Sequence, residues 1–230
     1  MKHSLEVAVD ADAVAAGAAA YVAGMARAAV SQRGRFTFAV SGGHTPWAMF
    51  RELAGEDMPW AQTELFQVDE RVAPDGDPDR NLTHLRESLL DHAPIPAEQV
   101  HDMPVEMADL EAGAAQYSQV LRQVTGEPPI LDMVHLGLGP DGHTASLVPG
   151  DAVLAVTDRD VAATGVYQGR RRMTLTYPAL NRARKVLWVV TGSEKITMLP
   201  RLLKGDPAIP AGRVKPDAAL VLADRAAHPA

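Results

Sequence analysis

The sequence predicts an α/β fold in three layers, in which a mainly parallel sheet is flanked by helices. Two observations predict it. Short apolar runs alternate with helix-like segments along the chain, and this alternation is typical of parallel sheets whose strands are joined by crossover helices. No Pro-, Gly- or Ser-rich linker and no internal repeat divides the 230 residues. We therefore expect a single domain over residues 1–230.

Each expected strand is a short run rich in branched residues. In chain order the expected strands are Leu5–Val9, Phe36–Val40, Leu65–Val68, Ile130–Leu138, Val153–Val156, Val161–Val166, Val186–Thr191 and Leu220–Ala223. The helix-like segments are Asp12–Gln32, Pro46–Ala54, Leu82–His92, Met107–Val124, Pro178–Ala183 and Ser193–Leu203. The first helix is alanine-rich but includes Asp12, Tyr21 and Arg27. We interpret it as an amphipathic helix of a soluble protein and not as a membrane span.

The composition excludes several classes of function. A formal net charge of −7 argues against nucleic acid or an anionic membrane as the main partner. The chain has no cysteine, which excludes disulfides, thiolate–zinc sites and a cysteine nucleophile. The lack of cysteine suits the reducing cytoplasm, and the first residues have no apolar signal core. We therefore expect a cytoplasmic protein.

Polar, glycine-bearing loops follow four of the expected strands. In α/β folds, ligands bind at the carboxyl ends of the strands, so we expect these loops to form one composite site. The first is the run Ser41, Gly42, Gly43, His44, Thr45, Pro46. Its glycines allow close approach of an anion, and Thr45 and Pro46 are expected to begin a helix whose free N–H groups bind phosphate. An ordinary strand-to-helix turn is the alternative.

Three further sets of charged residues are candidates for anion binding. Asp69 and Arg71 end a strand, where Arg71 can clamp a phosphate or carboxylate and Asp69 can hold a hydroxyl or move a proton. Lys195 is expected in the first turn of a helix, an unfavourable place for a cation unless an anion is near. Arg170, Arg171 and Arg172 form a basic run. In each case a solvated surface charge is the alternative.

The segment LGLGPDGHTASLVPG contains the spacing G-x-G-x-x-G, which is associated with dinucleotide binding. That function also requires a helix after the glycines. Pro149 and Gly150 stop any helix that begins near His143, whereas a parallel crossover needs about a dozen residues. We therefore reject the dinucleotide interpretation. Asp141 and His143 remain as a candidate acid–base pair at a strand exit.

Other catalytic motifs are absent from the sequence. There is no G-x-S-x-G nucleophile elbow, no Walker A loop and no H-E-x-x-H zinc motif. A metal site of Asp69, Asp141 and His143 is possible, but no spacing supports it. The residues best suit acid–base chemistry, without a metal, on a phosphorylated small molecule.

Five motifs resemble those of the 6-phosphogluconolactonases in order and approximate spacing. They are SGGHTP, DERVAPDGDPDRNL, GLGPDGHTASLVPG, RMTLTYPALNRA and VTGSEK, and the resemblance runs from Phe36 to Lys195 and more weakly to Leu220–Ala227. It implies the fold of the glucosamine-6-phosphate deaminases and ribose-5-phosphate isomerases. It also implies hydrolysis of 6-phospho-D-glucono-1,5-lactone in the oxidative pentose phosphate pathway, without a metal or organic cofactor, and often by a monomer.

The resemblance also implies residue roles. His143 is similar to the general base that activates water, and Asp141 to its supporting carboxylate. The Ser41–Thr45 loop, Arg71 and Lys195 are expected to bind the 6-phosphate, with Arg172 a further candidate.

Asp69 and Asn81 are expected to shape the pocket, and backbone N–H groups of Gly139–Gly142 are candidate oxyanion donors. The chain departs from the family at His44 and Arg80, where a serine is usual.

Two other functions are kept as alternatives. An amino-sugar phosphate deaminase and isomerase usually carries a catalytic glutamate after Gly-His, whereas TASLVPG has no acid. A non-catalytic sugar-phosphate sensor usually accompanies a DNA-binding segment, and the chain has no spare basic module for one.

Overall fold

The computed structural model describes residues 3–215 and 218–228, and this part contains ten strands and six α-helices. The strands are β1 (His3–Ala8), β2 (Phe36–Val40), β3 (Thr63–Gln67), β4 (Asp69–Arg71), β5 (Val100–His101), β6 (Met133–Leu136), β7 (Val161–Ala163), β8 (Arg172–Leu175), β9 (Val186–Val190) and β10 (Ala219–Asp224). The helices are α1 (Ala11–Arg33), α2 (His44–Ala54), α3 (Asn81–Leu85), α4 (Leu110–Thr125), α5 (Tyr177–Arg182) and α6 (Leu199–Leu203).

Seven strands form one parallel sheet in the order β1-β10-β9-β6-β2-β3-β5. From β2 the chain adds strands in one direction, through β3 to β5, and from β6 it adds them in the other, through β9 to β10. The strand order therefore reverses between β2 and β6. A crevice forms at such a reversal, outside the carboxyl ends of the strands.

Side chains of alternate residues in this sheet enter two different apolar layers, because successive residues of a strand point to opposite faces. Phe38 and Leu187 pack in the layer under α1, α2 and α3. Their neighbours Ala39 and Trp188 pack in the layer under α4, α5 and α6. Both faces are therefore covered, which confirms the predicted three-layer α/β arrangement.

A second sheet, which the sequence did not predict, covers part of the α4 face. It is antiparallel, in the order β4-β8-β7. Val68 connects the two sheets, because its N–H donates to Val40 O at 2.9 Å in the large sheet and its carbonyl accepts from Leu175 N–H at 2.7 Å in the small one. The chain thus leaves β3 and enters β4 within one residue, which places Asp69 and Arg71 above the edge of the large sheet.

Helix α1 is long and apolar enough to cross a membrane by length and composition. In the structure it begins at an Asp10 cap, whose side chain accepts from Ala13 N–H, and it ends at Gly34 with φ of 77°. Its inward face is mostly alanine and packs on the sheet and on α2. Such small side chains let the helix lie close to the strands. In this fold α1 is therefore a core helix, packed against the sheet.

Some expected elements are wrong in kind or in length. Val153–Val156 is not a strand, because Ala152–Ala155 forms a 3-10 turn that begins where the Asp151 side chain accepts from Val153 N–H. The expected helix over residues 193–203 is divided into a 3-10 turn, Ser193–Lys195, and the short α6. The expected helix over residues 82–92 is α3 followed by a π-helical turn, Arg86–Leu90.

Candidate active site

A cavity of about 280 Å³ lies at the carboxyl edge of the large sheet, where the strand order reverses. It is lined by the loops after β2, β6 and β9 and by residues of β4 and β8. The structure brings nearly all of the predicted site residues to this cavity; they are Ser41, Gly42, Gly43, His44, Thr45, Asp69, Arg71, His143, Arg172 and Lys195. Asp141 lies behind His143, outside the lining. Asn81, Thr191 and Glu194 complete much of the polar wall.

The loop after β2 is shaped for close approach of backbone groups. Helix α2 begins one residue after Gly43, which has φ of 128° and no capping side chain. Thr45 lies inside the first turn and does not cap it, and its Oγ1 is 2.6 Å from Thr191 Oγ1. The N–H groups of His44 and Thr45 have no partner within the helix, and both residues line the cavity. Gly42 has to lack a side chain, because a Cβ there would collide with the Asn81 amide.

His44 lies at the exposed rim of this loop. Its ring packs edge-on against Trp47, with centroids 4.7 Å apart, and Trp47 lies 4.0 Å from the ring of His84. The imidazole of His44 therefore extends the aromatic wall of α2, while the backbone of the loop remains free to bind an anion.

Arg71 and Arg172 are direct neighbours across the antiparallel pair β4–β8. Like charges in opposite positions destabilise a sheet unless an anion compensates them. Both Nε atoms are buried and have no hydrogen-bond partner among the described residues. Burial lowers the pKa of Arg172, Asp69 opposes this, and the charge of Arg71 lowers it further. The pair is therefore arranged to bind an anionic group.

The structure also separates the three consecutive arginines. Arg170 forms ion pairs with Asp79 at 2.6 Å and Asp77 at 3.2 Å, and Arg171 Nε donates to the carbonyl of Thr164. Of the three, Arg172 lines the cavity, because it is the first residue of β8, whereas Arg170 and Arg171 lie before the strand and are held elsewhere.

Glu70 supports the site, although its sequence position did not predict a role for it. It is fully buried, and its oxygens accept from the N–H groups of Arg71, Asn81 and Leu82 and from Gln67 Nε2, all at 2.7–2.8 Å. It therefore caps α3 from β4, a role that Arg80 at the cap position cannot play. Arg80 Nε lies 3.4 Å from Glu70.

Asp69 and Asn81 hold the same corner of the pocket. Asn81 Nδ2 donates to the Asp69 carbonyl at 2.9 Å, and Asp69 Oδ2 accepts from Ser146 Oγ at 2.7 Å. Asn81 Oδ1 and Ser41 Oγ are buried beside the cavity and have no partner among the described residues. Such atoms are normally satisfied, so a polar ligand fits this corner.

His143 and Asp141 form a hydrogen-bonded pair at the exit of β6. His143 Nδ1 is 2.5 Å from Asp141 Oδ1, which also accepts from His143 N–H at 3.1 Å. Partial burial acts to raise the pKa of Asp141, but the hydrogen bonds and charge of His143 outweigh it, so this pKa is lowered. The ionised carboxylate fixes the Nδ1–H tautomer of the neutral ring. His143 Nε2 is then free to accept a proton on the cavity side.

Glycine has a steric role in this segment. A Cβ on Gly139 would collide with the His143 imidazole, and Gly142 has φ of 83° and lies against Ile209. No α-helix begins in the described chain between His143 and Tyr177, which confirms that the glycines do not form a dinucleotide fingerprint.

Most of the backbone N–H groups expected to act as oxyanion donors are already engaged. Gly139 N–H donates to His143 O and Gly142 N–H donates to Gly139 O, and Pro140 has no N–H.

Lys195 reaches the cavity from a 3-10 turn and not from the first turn of a helix. Its Nζ lies 3.4 Å from Glu194 Oε1. Together with Arg71 and Arg172 it gives the lining three cations against two carboxylates, Asp69 and Glu194. The cavity is thus locally positive in a chain of net charge −7. Within residues 3–215 and 218–228, no three His, Asp or Glu side chains cluster as metal ligands.

Comparison with known proteins agrees with this geometry. Residues 9–222 match the family described as glucosamine-6-phosphate isomerases/6-phosphogluconolactonase. The chain belongs to this family. Among its members, the chain is 37% identical to a 6-phosphogluconolactonase of Nostoc sp. over 235 aligned residues, which cover 99% of this chain and 98% of the relative. It is 36% identical to a 6-phosphogluconolactonase of Mycobacterium tuberculosis, with 98% and 97% covered.

Solved structures of the family have the same fold. The crystal structure of a 6-phosphogluconolactonase from Thermotoga maritima superposes with a TM-score of 0.87 at 27% identity, over 97% of this chain and all of the other. A monomeric glucosamine-6-phosphate deaminase superposes with a TM-score of 0.85 at 17% identity, over 97% and 98%. The second likeness shows that both activities of the family use this fold.

Proposed function

We propose that this family member is a 6-phosphogluconolactonase, which hydrolyses 6-phospho-D-glucono-1,5-lactone to 6-phospho-D-gluconate, a step of the oxidative pentose phosphate pathway. One observation carries the proposal: His143, hydrogen-bonded to Asp141, shares a cavity with the opposed cations Arg71 and Arg172. A proton acceptor beside an anion site suits hydrolysis of a phosphorylated ester. The full-length relatives named for this activity support it.

In this proposal His143 is the general base. Its Nε2 removes a proton from a water molecule as the water oxygen attacks the lactone carbonyl carbon. Asp141 stabilises the imidazolium that forms. When the tetrahedral intermediate collapses, the ring C–O bond breaks and His143 returns the proton to the leaving hydroxyl oxygen. Lactone and water are consumed, one hydroxy acid is formed, and neither a metal nor an organic cofactor takes part.

The phosphate is bound by the rest of the cavity. The Ser41–Thr45 loop offers backbone N–H groups at the start of α2, and Arg71, Arg172 and Lys195 supply positive charge. Binding the phosphate in this way orients the distant lactone carbonyl toward His143. This orientation lowers the activation free energy of hydrolysis. Asp69 and Asn81 shape the wall between the two ends of the substrate.

A deaminase function is less well supported, because the loop over residues 144–150 that follows His143 contains no carboxylate.

We also propose that the protein acts in the cytoplasm, as a monomer.

Replacement of His143 tests the base. In His143→Gln we expect kcat for freshly generated 6-phosphogluconolactone to fall about a hundredfold or more, because the variant cannot accept the proton. KM should change little, since phosphate binding is untouched. The assay follows 6-phosphogluconate with a coupled dehydrogenase and subtracts spontaneous hydrolysis. His92→Gln, an exposed histidine, is the control and should keep wild-type kcat. Wild-type rates in His143→Gln would remove His143 from this role.

Replacement of Arg172 tests the anion site. In Arg172→Met we expect KM for the phosphorylated lactone to rise about 10- to 100-fold, because one charged hydrogen-bonding partner is lost. Turnover of unphosphorylated glucono-1,5-lactone should change much less. Arg171→Met is the matched control, since that side chain bonds a loop carbonyl instead. An equal loss of activity toward both lactones would contradict the assignment.

A further inference from the structure

The segment between β7 and β8 is a hairpin, and its tip is a tight two-residue turn. Tyr167 and Arg170 exchange backbone hydrogen bonds at 3.0 and 3.3 Å. Between them, Gln168 and Gly169 both have positive φ, 51° and 81°. This is the pattern of a type I′ turn, whose twist matches that of the flanking strands. Gln168 adopts a backbone conformation that is unusual for a residue with a side chain, so the position of the turn is closely specified.

Ion pairs fasten this turn to the rest of the molecule. Arg170 Nε lies 2.6 Å from Asp79 and its Nη2 lies 3.2 Å from Asp77. Across the turn, Arg172 Nη2 donates to Gln168 Oε1 at 3.3 Å. Although Gln168 and Gly169 are exposed, the turn is held at both of its ends. The first residue of the turn, Tyr167, is thereby held over the exit of β6.

Tyr167 contacts three residues of the site, Asp141, His143 and Arg172. Its hydroxyl donates to Asp141 Oδ2 at 3.2 Å, while Asp141 Oδ1 faces His143. Its ring meets the His143 imidazole edge-to-face, with centroids 5.6 Å apart. The guanidinium carbon of Arg172 lies 4.9 Å from the centre of the same ring, within the range of a cation–π contact. Tyr167 itself does not line the cavity.

The groups around Tyr167 keep its hydroxyl protonated, so that it remains a hydrogen-bond donor. Desolvation, and after it the negative charge of Asp141, raise the pKa of Tyr167. The pKa of Asp141 is lowered, although partial burial opposes this. At neutral pH a protonated phenol therefore faces an ionised carboxylate. With Oδ2 bound to Tyr167, the carboxylate is restricted in rotation and Oδ1 stays directed at His143 Nδ1.

We propose that Tyr167 is a positioning residue of the active site: its hydroxyl orients Asp141 toward His143, and its ring supports the guanidinium of Arg172. The proposal rests on the proposed function for its catalytic consequence. The two halves of the side chain act on different parts of the site. The hydroxyl acts through the base, which sets kcat, and the ring acts through the anion site, which sets KM.

Two substitutions separate these effects. Tyr167→Phe keeps the ring and removes the hydroxyl, so we expect kcat to fall about tenfold, as for the loss of one oriented hydrogen bond, with KM within twofold of wild type. Tyr167→Ala removes both, so KM should rise as well. Val166→Ala, at the exposed neighbouring residue, is the control and should leave both constants unchanged. Unchanged kcat in Tyr167→Phe, or a rise in KM alone, would overturn the proposal.

A measurement without substrate distinguishes this proposal from the proposed function. In wild type we expect the Nδ1–H proton of His143, assigned by its absence in His143→Gln, to exchange slowly with water in NMR spectra. In Tyr167→Phe its exchange should be at least severalfold faster, because Asp141 is less restrained. Equal exchange rates would refute the positioning role even if the enzyme hydrolyses the lactone. Absence of lactonase activity in wild type, with the exchange difference present, would refute only the function.

Discussion

His135 on β6 and His143 in the loop after β6 have completely different surroundings. His143 contacts a carboxylate and lines an open cavity. His135 lies on β6 with no exposed surface, where its Nδ1 accepts from Ser41 N–H at 3.3 Å and its ring lies edge-on to Phe50. Burial lowers the pKa of His135 to about 3. His135 is therefore a neutral ring beneath the phosphate loop, and it fixes the first backbone amide of that loop.

The burial of His135 predicts a pH dependence of stability. Its folded pKa is depressed below the ordinary value of 6.5, so below pH 6.5 the unfolded chain binds a proton that the folded chain does not bind until near pH 3. The free energy of unfolding should therefore fall by up to about 1.4 kcal/mol per pH unit in that window. Because the unfolded ring is only half protonated at pH 6.5, the wild type should lose about 1.5 kcal/mol more than His135→Gln between pH 6.5 and 5.

Urea denaturation at the two pH values measures this difference. His92→Gln, which alters an exposed ring, should keep the wild-type slope. Parallel slopes for wild type and His135→Gln would show that this ring does not set the acid sensitivity.

At the residue scale, the sequence predicted the cavity lining well because loops at strand ends carry a recognisable pattern. His143 and Lys195 stand in such loops, with Asp141 behind His143, whereas Arg71 belongs to the short strand β4. His135 gave no signal, since a histidine inside an apolar strand is indistinguishable from a packed core residue. Tyr167 gave none either, because its contact with Asp141 depends on a hairpin between β7, which was expected, and β8, which was not.

Glu70 joins two elements that carry the site. Its carboxylate caps α3 and satisfies the first turn of that helix, and it lies beside the buried guanidinium of Arg80. Removing one charge of a buried pair leaves the other uncompensated, which costs several kcal/mol. The position of α3, and with it Asn81 at the pocket wall, therefore depends on this carboxylate.

Substitution at Glu70 measures the dependence. In Glu70→Gln we expect the free energy of unfolding to fall by about 3–5 kcal/mol in chemical denaturation. Glu106→Gln is the matched control: Glu106 also faces Arg80, at 3.7 Å, but its side chain is 58% exposed, and its loss should cost less than about 1 kcal/mol. A similar loss in both variants would contradict a special role for Glu70.

At the element scale, the sequence predicted the long strands and helices but not the small sheet. Strands β4, β5 and β8 have only two to four residues each, and β4 is the polar run Asp-Glu-Arg. Such short segments have no periodicity that a pattern can reveal. Conversely, Val153–Val156 was apolar enough for a strand, but the Asp151 cap and the backbone turn there made it a 3-10 turn.

Both apolar layers depend on the same six strands of the large sheet, all except β5. Trp188 packs in the layer under α4, whereas Trp60 and Trp47 pack in the layer under α1 and α2. Because every central strand contributes to both layers, loss of one layer exposes the other. That the chain is a single domain stays a prediction, and these tryptophans make it measurable.

Tryptophan fluorescence tests cooperative unfolding. In Trp188→Phe the remaining tryptophans report on one layer, and in Trp47→Phe/Trp60→Phe only Trp188 reports, on the other. For each variant we expect the urea midpoint from fluorescence to coincide with that from far-ultraviolet circular dichroism. Midpoints that differ between fluorescence and circular dichroism within one variant would indicate two separately unfolding units.

The locally positive cavity in an acidic molecule has a consequence for turnover. Hydrolysis of the proposed substrate converts a neutral ester into a carboxylate, so the product carries one more negative charge than the lactone. The net charge of −7 repels both anions over roughly a Debye length of 8 Å at physiological salt, and it repels the product more strongly. The outer charge therefore slows rebinding of the product more than capture of the lactone, and stopped-flow measurements should show the difference between the two association rates growing as salt is lowered.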